Sequence, residues 1–267
     1  MSNKKVFCVL EQGKSVGEEI TREHQSQFNT PVSDFYRLNW RQEDPNALVV
    51  EPGICWSEGR SLLYEKIPKN YDYYVFIDDD IKFLNPNTAE LIAETLKKYK
   101  PIAGCFYEKA AWHSSRMIIN NEAIPIAGFD LNNHIFSQEA ADALFPVTHH
   151  GSGRVMWYAQ YVVHKLYPTK QMMFSKILVD NWRHEPPEDK GLDYYTPVDQ
   201  VVAEFNKDLV EKDDFIRWDH DFIMNLNRSL SSQLTISDSD VKFSMKDFAQ
   251  IYDVSNSKYV NRKSLHG

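Results

Sequence analysis

Cysteine, long apolar runs and an excess of basic charge are scarce or missing in this sequence. Its three cysteines, Cys8, Cys55 and Cys105, cannot all pair, and none belongs to a C-x-x-C motif. Each lies in or beside an apolar run, which is typical of buried thiols in a reducing compartment, so we expect a cytoplasmic location. The formal net charge of −8 argues against a nucleic-acid partner, because such proteins normally carry a basic patch.

No stretch approaches the roughly 18 consecutive apolar residues that a membrane-spanning helix needs. The amino-terminal MSNKKVFCVLEQGKS has two lysines and then only five apolar residues, too few for the apolar part of a secretory signal. We therefore expect neither a transmembrane segment nor a signal peptide. The 267 residues, 42% of them hydrophobic, suffice for one large domain, or for one domain with an appendage. The oligomeric state is left open.

Short apolar runs alternate with helical patterns in the first half of the chain. Strands are predicted at 6–10, 35–40, 47–50, 73–77 and 102–106. A helix is predicted in SEGRSLLYEKI, and another in NPNTAELIAETLKKYK, where Asn87 and Glu90 match a capping box. This alternation predicts an α/β fold, with a mostly parallel central sheet flanked by helices.

The second half is less regular. Strands are predicted at 116–120, 133–136 and 172–179, and helices in QEAADALF after Ser137, at 155–166 and from Thr196. Beyond them, Phe215, Trp218, Phe222 and Leu226 share one face of an amphipathic helix. We therefore predict a main domain over residues 1–210 and a small, mainly helical extension over 211–267.

The stretch YDYYVFIDDDIKFLNP places three carboxylates directly after a buried strand. Ligands of open α/β sheets bind beyond the carboxyl ends of the strands. Adjacent carboxylates disfavour one another's ionisation, and a divalent cation removes that cost because hard cations prefer oxygen ligands. In an extended segment Asp78 and Asp80 point to one side and Asp79 to the other. Asp78 and Asp80 therefore predict a cation site, with a solvated acidic turn as the alternative.

Four segments, taken in order, resemble GT-A fold nucleotide-sugar glycosyltransferases of the aspartate-x-aspartate type. They are SEGRSLLYEKI, YDYYVFIDDDIKF, NNHIFSQEAADALFP and ILVDNWRHEPP, within residues 4–190. The resemblance implies a GT-A-like (Rossmann-like) fold and metal-dependent transfer of a hexosyl or pentosyl group. The donor would be a nucleotide-diphosphate sugar, with UDP expected, and the acceptor a glycan or glycoconjugate. Residues 1–106 would bind nucleotide and metal, and 107–210 the acceptor.

The same resemblance assigns roles to individual residues. Manganese or magnesium would be held by Asp78, Asp80 and His184 and would act as a Lewis acid on the diphosphate leaving group. Asp79 would serve the sugar or the local structure. The nucleotide site would comprise Glu11, Gln12, Arg60, Asp78 and Asp79, with Arg37 and Asn39 as weaker candidates, and the acceptor would contact Trp157 and Gln160.

The catalytic base is the point at which the chain departs from the family. An inverting enzyme needs a carboxylate near the acceptor hydroxyl. Many relatives place it at the start of a helix that here reads HHGSGRVMWYAQYVV, without any acid. Asp130, in IAGFDLNNH, is the predicted substitute, and His149 or His150 could serve instead. A retaining mechanism without such a base also fits.

Two alternatives stay open. A haloacid-dehalogenase-like phosphohydrolase also ends an apolar strand in D-x-D, and EKDD at 211–214 could supply its late acids. Against it, the motif follows some 75 residues of β-α-β pattern, and Lys82 stands where a small or hydroxyl side chain is usual. The second alternative is a nucleotide-sugar or carbohydrate binding module without catalysis, which the missing acid would explain.

Overall fold

The computed structural model describes residues 4–16, 19–54, 56–108, 111–114, 116–145, 160–161, 163–164, 167, 169–181 and 220–232. No helix in these ranges is both long enough and apolar enough to cross a bilayer. Several predicted features lie outside them, namely His149, His150, Trp157, His184, the helix from Thr196 and most of the helix at 155–166.

Nine strands of the described residues form one sheet. They are β1 (Phe7–Gly13), β2 (Ser33–Asn39), β3 (Val49–Val50), β4 (Tyr73–Asp78), β5 (Ile81–Phe83), β6 (Ala103–Glu108), β7 (Ala123–Pro125), β8 (Asn133–Ser137) and β9 (Gln171–Asn181). The helices are α1 (Glu19–Phe28), α2 (Trp56–Lys66), α3 (Thr88–Tyr99), α4 (Gln138–Leu144) and α5 (His220–Ser231), with a 3₁₀ turn at Trp112–Ser114. The predicted α/β class is confirmed.

The sheet is mixed rather than mostly parallel. Its order is β3-β2-β1-β4-β8-β6-β9-β5, and β7 pairs with β9. Strands β3, β2, β1 and β4 run parallel, as do β6 and β9, but β8 is antiparallel to both of its neighbours. Strands β5 and β7 are antiparallel to β9. Strand β8 runs in the opposite direction because the chain enters it at the edge of the sheet where β4 and β6 end.

Apolar layers cover both faces of the sheet. One layer includes Leu10, Leu63, Phe76, Phe136 and Leu144, and so joins the sheet to α2 and α4. The other includes Val9, Phe28, Val75, Ile92, Leu96 and Phe174, and joins it to α1 and α3. Because successive side chains of a strand alternate, β1 and β4 contribute to both layers. The acidic and amide side chains of these two strands, Glu11, Gln12 and Asp78, stand at their carboxyl ends.

Some local predictions need correction. The expected strand at 116–120 is a loop, and α1, β5 and β7 were not predicted. Asn87 precedes α3 with a left-handed backbone (φ 53°, ψ 41°) and makes no side-chain cap, so the capping box with Glu90 is wrong. The prediction at α4 is confirmed, because Ser137 Oγ accepts a hydrogen bond from the Ala140 N–H at 3.2 Å.

Helix α5, inside the predicted extension, packs on the main domain. Asn227 is fully buried, and its amide donates to the carbonyls of Gly128 (2.8 Å) and His113 (3.3 Å). It also accepts from the Ala127 N–H at 2.7 Å, and Ile223 on the same helix is buried in the core. The extension thus contributes to the core of the domain, and the boundary near residue 210 stays a prediction.

Candidate functional site

Polar side chains meet where β1, β4 and β6 end and β8 begins. Gln12 of β1 stands opposite Asp78 at the end of β4. The Asp78 N–H donates to the Asn132 carbonyl at 3.0 Å, so the loop before β8 closes on the same point. The Asn132 side-chain amide in turn donates to Glu108, at the end of β6, at 2.8 Å. This is the carboxyl edge of the parallel strands, where ligands of such sheets bind.

Helix α2 fixes the orientation of Asp78. The Asp78 Oδ1 accepts hydrogen bonds from Arg60 Nη2 at 2.8 Å and from Trp56 Nε1 at 3.0 Å. The Arg60 guanidinium lies over the Trp56 ring, 3.9 Å from its centroid, and Nη2 also donates to the Leu131 carbonyl at 3.0 Å. The Asp78 side chain keeps 28% of its exposure, so it is held in place and can still contact a ligand.

The electrostatics of this edge favour a cation. Burial and the charge of Asp80 raise the pKa of Asp78, Arg60 and Trp56 lower it, and the net result is a pKa of about 7. Asp80 is half-buried in the turn between β4 and β5. A divalent cation would favour the ionised form of both carboxylates, and hard cations take oxygen ligands. The two side chains therefore fit the predicted metal.

The described residues supply only part of a complete coordination shell. Within the described ranges, no three Asp, Glu, His or Cys side chains lie close enough to hold a metal ion by themselves. The predicted third ligand, His184, lies outside these ranges. Magnesium-type ions often use one or two carboxylates and complete their shell with substrate phosphates and water. Asp78 and Asp80 therefore suit a metal that binds together with a phosphorylated ligand.

Two buried side chains beside Asp78 have polar atoms without a hydrogen-bond partner in the described part of the chain. Gln12 is 3% exposed, and neither its Nε2 nor its Oε1 is bonded. Arg60 is 1% exposed, and its Nε and Nη1 are not bonded. Leaving a buried polar group unsatisfied costs about 1–3 kcal/mol. These atoms point to a ligand that offers both donors and acceptors.

Glu11, predicted to receive the nucleobase, lies in a buried ion-pair network. Its carboxylate is completely buried and contacts both Arg37 and His24. Arg37 also donates from Nε to Asp44 Oδ2 at 2.8 Å and from Nη2 to the Ser15 carbonyl. Both oxygens of Glu11 thus have partners inside the protein. The nucleobase role of Glu11 stays a prediction that these contacts do not favour.

Asp79 holds the loop that follows β1. Its Oδ2 accepts from the N–H groups of Lys14 (2.9 Å) and Ser15 (3.0 Å) and from the Ser15 hydroxyl (2.7 Å). Gly13 makes this approach possible, because a Cβ there would lie 1.9 Å from the Asp79 Cγ. The contacts match the local structural role considered for Asp79. The loop is thereby held beside Gln12, whose carbonyl accepts from the Asp79 N–H at 3.1 Å.

Asp130, the predicted base, lies in the loop before β8. Its Oδ2 accepts from Trp112 Nε1 at 3.1 Å, and its N–H donates to His113 Nδ1 at 3.1 Å. Trp112 and His113 belong to the 3₁₀ turn that follows β6, so these two hydrogen bonds hold Asp130 near the end of that strand. The charge of Asp130 raises the pKa of Glu108.

Gln160, predicted to contact the acceptor, is only 1% exposed. Its Nε2 donates to the Phe129 carbonyl at 3.1 Å and to His134 Nε2 at 3.0 Å, and its Oε1 accepts from the Phe129 N–H at 3.0 Å. Both N–H groups of the amide are thus used inside the protein. The contacts favour a structural role, and the acceptor role of Gln160 stays a prediction, as does that of Trp157, outside the described residues.

Glu108 is a site residue that the sequence did not single out. It is 7% exposed at the end of β6. Burial raises its pKa, the Asn132 hydrogen bond lowers it, and the charges of Asp130, Asp180 and Asp80 raise it further. One signal could have found it, since Glu108 is the acidic last residue of an otherwise mostly apolar strand, as Asp78 is of β4.

A buried histidine beside Asp130 makes the fold sensitive to acid. Burial lowers the pKa of His113 to about 4, and the nearby charge of Asp130 opposes this shift. Unfolded histidine titrates near 6.5. Between these values the unfolded chain binds a proton that the folded chain does not, so this histidine removes stability as the pH falls from about 6.5 to 4.

We expect the His113→Gln variant to lose less stability than the wild type between pH 6.5 and pH 4.5. The difference should approach about 1.4 kcal/mol of unfolding free energy per pH unit. The variant must be compared with the wild type because Asp78 and Glu108, whose pKa values are raised, titrate with the opposite effect on stability in both proteins. Urea unfolding at several pH values measures the free energy of unfolding of each protein. Parallel pH profiles for the two proteins would contradict the prediction.

The chain has the GT-A fold, as the resemblance implied, because it matches two solved glycosyltransferases of that fold. GalNAc-T7, solved with UDP, GalNAc and Mn²⁺, matches with a TM-score of 0.55 and 13% identity over 96% of this chain and 58% of its own. The mannosyltransferase PcManGT from Pyrobaculum calidifontis, solved with GDP-Man and Mn²⁺, matches with a TM-score of 0.50 and 9% identity over 86% of this chain and 74% of its own.

A third match, S. aureus TarS, has a TM-score of 0.48 and 12% identity over 74% of this chain. The chain spans 39% of the length of TarS and 58% of that of GalNAc-T7. No protein-family model and no curated protein matches the sequence. At such low identities the matches show the fold alone.

Proposed function

We propose that this protein is a metal-dependent glycosyltransferase. It transfers a hexosyl or pentosyl group from a nucleotide-diphosphate sugar, with UDP as the nucleotide, to a glycan or glycoconjugate. The observation that carries the proposal is the set of buried, unpartnered groups on Gln12 and Arg60 beside Asp78. Two neighbours of the same fold, solved with UDP or GDP-Man and with Mn²⁺, support the choice of ligand class.

A nucleotide would satisfy the unpartnered groups. The Gln12 amide presents a donor and an acceptor, which complement the N3–H and a carbonyl of uracil. The open Nε and Nη1 of Arg60 suit phosphate oxygens, because a guanidinium binds phosphate through several N–H groups at once. The absence of a side chain at Gly59 leaves room for the Gln12 amide, since a Cβ at that position would lie 3.0 Å from Gln12 Oε1.

Asp78 and Asp80 would hold manganese or magnesium, with His184 as the predicted third ligand. A bound divalent cation stabilises the charge that develops on a diphosphate leaving group. The chain's own contribution is orientation. Arg60 and Trp56 fix the Asp78 carboxylate, and Asp79 fixes the loop beside Gln12.

The alternatives differ from this proposal in ways that can be measured. Asp78 ends β4, the fourth strand of the described residues, and the fold is GT-A, which does not favour a phosphohydrolase. The late acids at 211–214 lie outside the described residues. A binding module without catalysis would bind metal and nucleotide and show no turnover.

Thermal unfolding with UDP, GDP or no nucleotide, each with and without manganese, tests the proposal. We expect UDP and manganese together to raise the melting temperature most, corresponding to about 2.7 kcal/mol at a hundredfold excess over the dissociation constant. The Gln12→Leu variant should keep or gain basal stability, because it removes an unsatisfied buried amide, and should lose the UDP response. No shift with any nucleotide would contradict the proposal. UDP-sugar turnover then separates a transferase from a binding module.

A further inference from the structure

The segment HHGSGRVMWYAQYVV, where the resemblance leads us to expect the base of an inverting transfer, contains no acid, whereas the end of β6 offers the carboxylate of Glu108. We propose that Glu108 is the catalytic base and that its carboxylate accepts the proton of the acceptor hydroxyl; this role rests on the proposed function.

Asn132 connects Glu108 to the metal side of the site. The backbone carbonyl of Asn132 accepts from the Asp78 N–H at 3.0 Å, and its side-chain amide donates to Glu108 Oε2 at 2.8 Å. One residue thus bridges the end of β4 and the end of β6. Asn132 is itself 6% exposed, so the bridge is buried and the Glu108 carboxylate has a fixed position relative to Asp78.

Among the residues that the structure describes, no cation pairs with Glu108. In the described part of the chain, its carboxylate accepts a hydrogen bond from the neutral Asn132 amide and forms no ion pair. The charges of Asp130, Asp180 and Asp80 act on it and, after burial, raise its pKa. Burying an acid without a paired cation destabilises a fold, and groups of this kind concentrate at functional sites.

Asp130, predicted from the sequence as the base, is placed less favourably for that role. Its Oδ2 already accepts from Trp112 Nε1, and it is more exposed than Glu108. In this arrangement Asp130 is a positioning residue whose negative charge favours the protonated form of Glu108. A carboxyl group with a pKa raised towards neutral is the better proton acceptor.

The chemical step balances without any further reactant. The acceptor hydroxyl oxygen bonds to the anomeric carbon of the donor while the bond from that carbon to the diphosphate oxygen breaks. The nucleoside diphosphate leaves with the electron pair of that bond, and the hydroxyl proton moves to Glu108. Attack on the face opposite to the leaving group inverts the anomeric configuration. Glu108 returns its proton to solvent after product release.

The test uses the full chain with manganese, with UDP-glucose and UDP-galactose as donors and water as the acceptor. Calorimetry measures UDP binding, nucleotide release gives the rate, and proton NMR identifies the anomer formed first. We expect the wild type to release the β sugar first from these α-linked donors. Glu108→Gln should slow hydrolysis by at least about a hundredfold, while its UDP affinity stays within about threefold of the wild type.

Three further variants sharpen the comparison. Glu108→Ala should regain part of its rate in formate, which can replace a missing carboxylate. Asp130→Asn, the competing assignment, should slow hydrolysis far less than Glu108→Gln. Glu122→Gln, which changes a glutamate paired with Lys98 and Lys176 away from the site, should leave both rate and binding unchanged.

The outcomes distinguish a failure of the Glu108 assignment from a failure of the proposed function. An undiminished rate in Glu108→Gln, an α product formed first, or a larger loss in Asp130→Asn would overturn the assignment while UDP binding stands. Loss of UDP binding in Glu108→Gln would assign Glu108 to binding instead. A wild type that binds UDP but hydrolyses neither donor would also overturn the base. A wild type that does not bind UDP would overturn the proposed function itself.

Discussion

The Asp80→Ala variant should lose manganese-dependent nucleotide binding and sugar transfer together. Asp80 lies in the turn after β4, and its charge acts on Asp78 across the site. If Asp78 and Asp80 hold the cation, removing one of two carboxylates leaves too few protein ligands. A metal supplies several kcal/mol of stabilisation to a charged transition state, so we expect turnover to fall by at least about a thousandfold.

Manganese binding, followed by electron paramagnetic resonance, should weaken in the same variant. Asp72→Ala is the matched control, because Asp72 lies on the same segment with 51% side-chain exposure and pairs only with the exposed Lys4 among the described residues. That variant should bind manganese and UDP like the wild type. Unchanged manganese-dependent UDP binding in Asp80→Ala would show that the cation lies elsewhere.

The Arg37→Met variant should lower the free energy of unfolding by about 3–5 kcal/mol, the usual cost of breaking a buried ion pair by removing one partner. Arg37 is 1% exposed and pairs with Glu11 and Asp44, which are 0% and 5% exposed. Without the guanidinium, both carboxylates stay buried without their cation. Because the network adjoins the end of β1, UDP affinity should fall as well.

Urea unfolding measures the effect of Arg37→Met, with Lys4→Met as the control. Lys4 and Asp72 form an exposed pair at 2.6 Å, and such pairs contribute about 0–1 kcal/mol. Arg37→Lys should fall between the two, because it keeps the charge but not the planar fork that reaches several acceptors. A midpoint for Arg37→Met equal to that of Lys4→Met would refute the network's structural role.

The sequence predicted the strands with uninterrupted apolar runs because burial on both faces leaves a clear pattern. β4 and β6 are examples, and the aspartates after β4 were located correctly at a strand end. The direction of β8 was not predictable, because an apolar run carries no information about which edge the chain enters from. The same limit applies to β5 and β7, each three residues long.

Contacts between distant residues explain most of what the sequence did not show at the site. Asn132 and Glu108 are 24 positions apart, and only the pairing of β6 with β8 brings them together. Glu11 and Gln12 are neighbours in sequence, yet the Glu11 carboxylate pairs with Arg37, whereas the Gln12 side-chain amide has no hydrogen-bond partner in the described residues. Alternation along a strand predicts that the two side chains point to opposite faces of the sheet, but it does not predict which face supplies a hydrogen-bond partner.

The most direct test of the metal and nucleotide site is a crystal structure with UDP and manganese, in which anomalous scattering locates the ion. We expect one strong manganese peak bonded to Asp80 and to diphosphate oxygens, with the Gln12 amide on uracil and Arg60 near the phosphates. A manganese peak remote from Asp80, or UDP bound away from the edge where β1 and β4 end, would contradict this expectation.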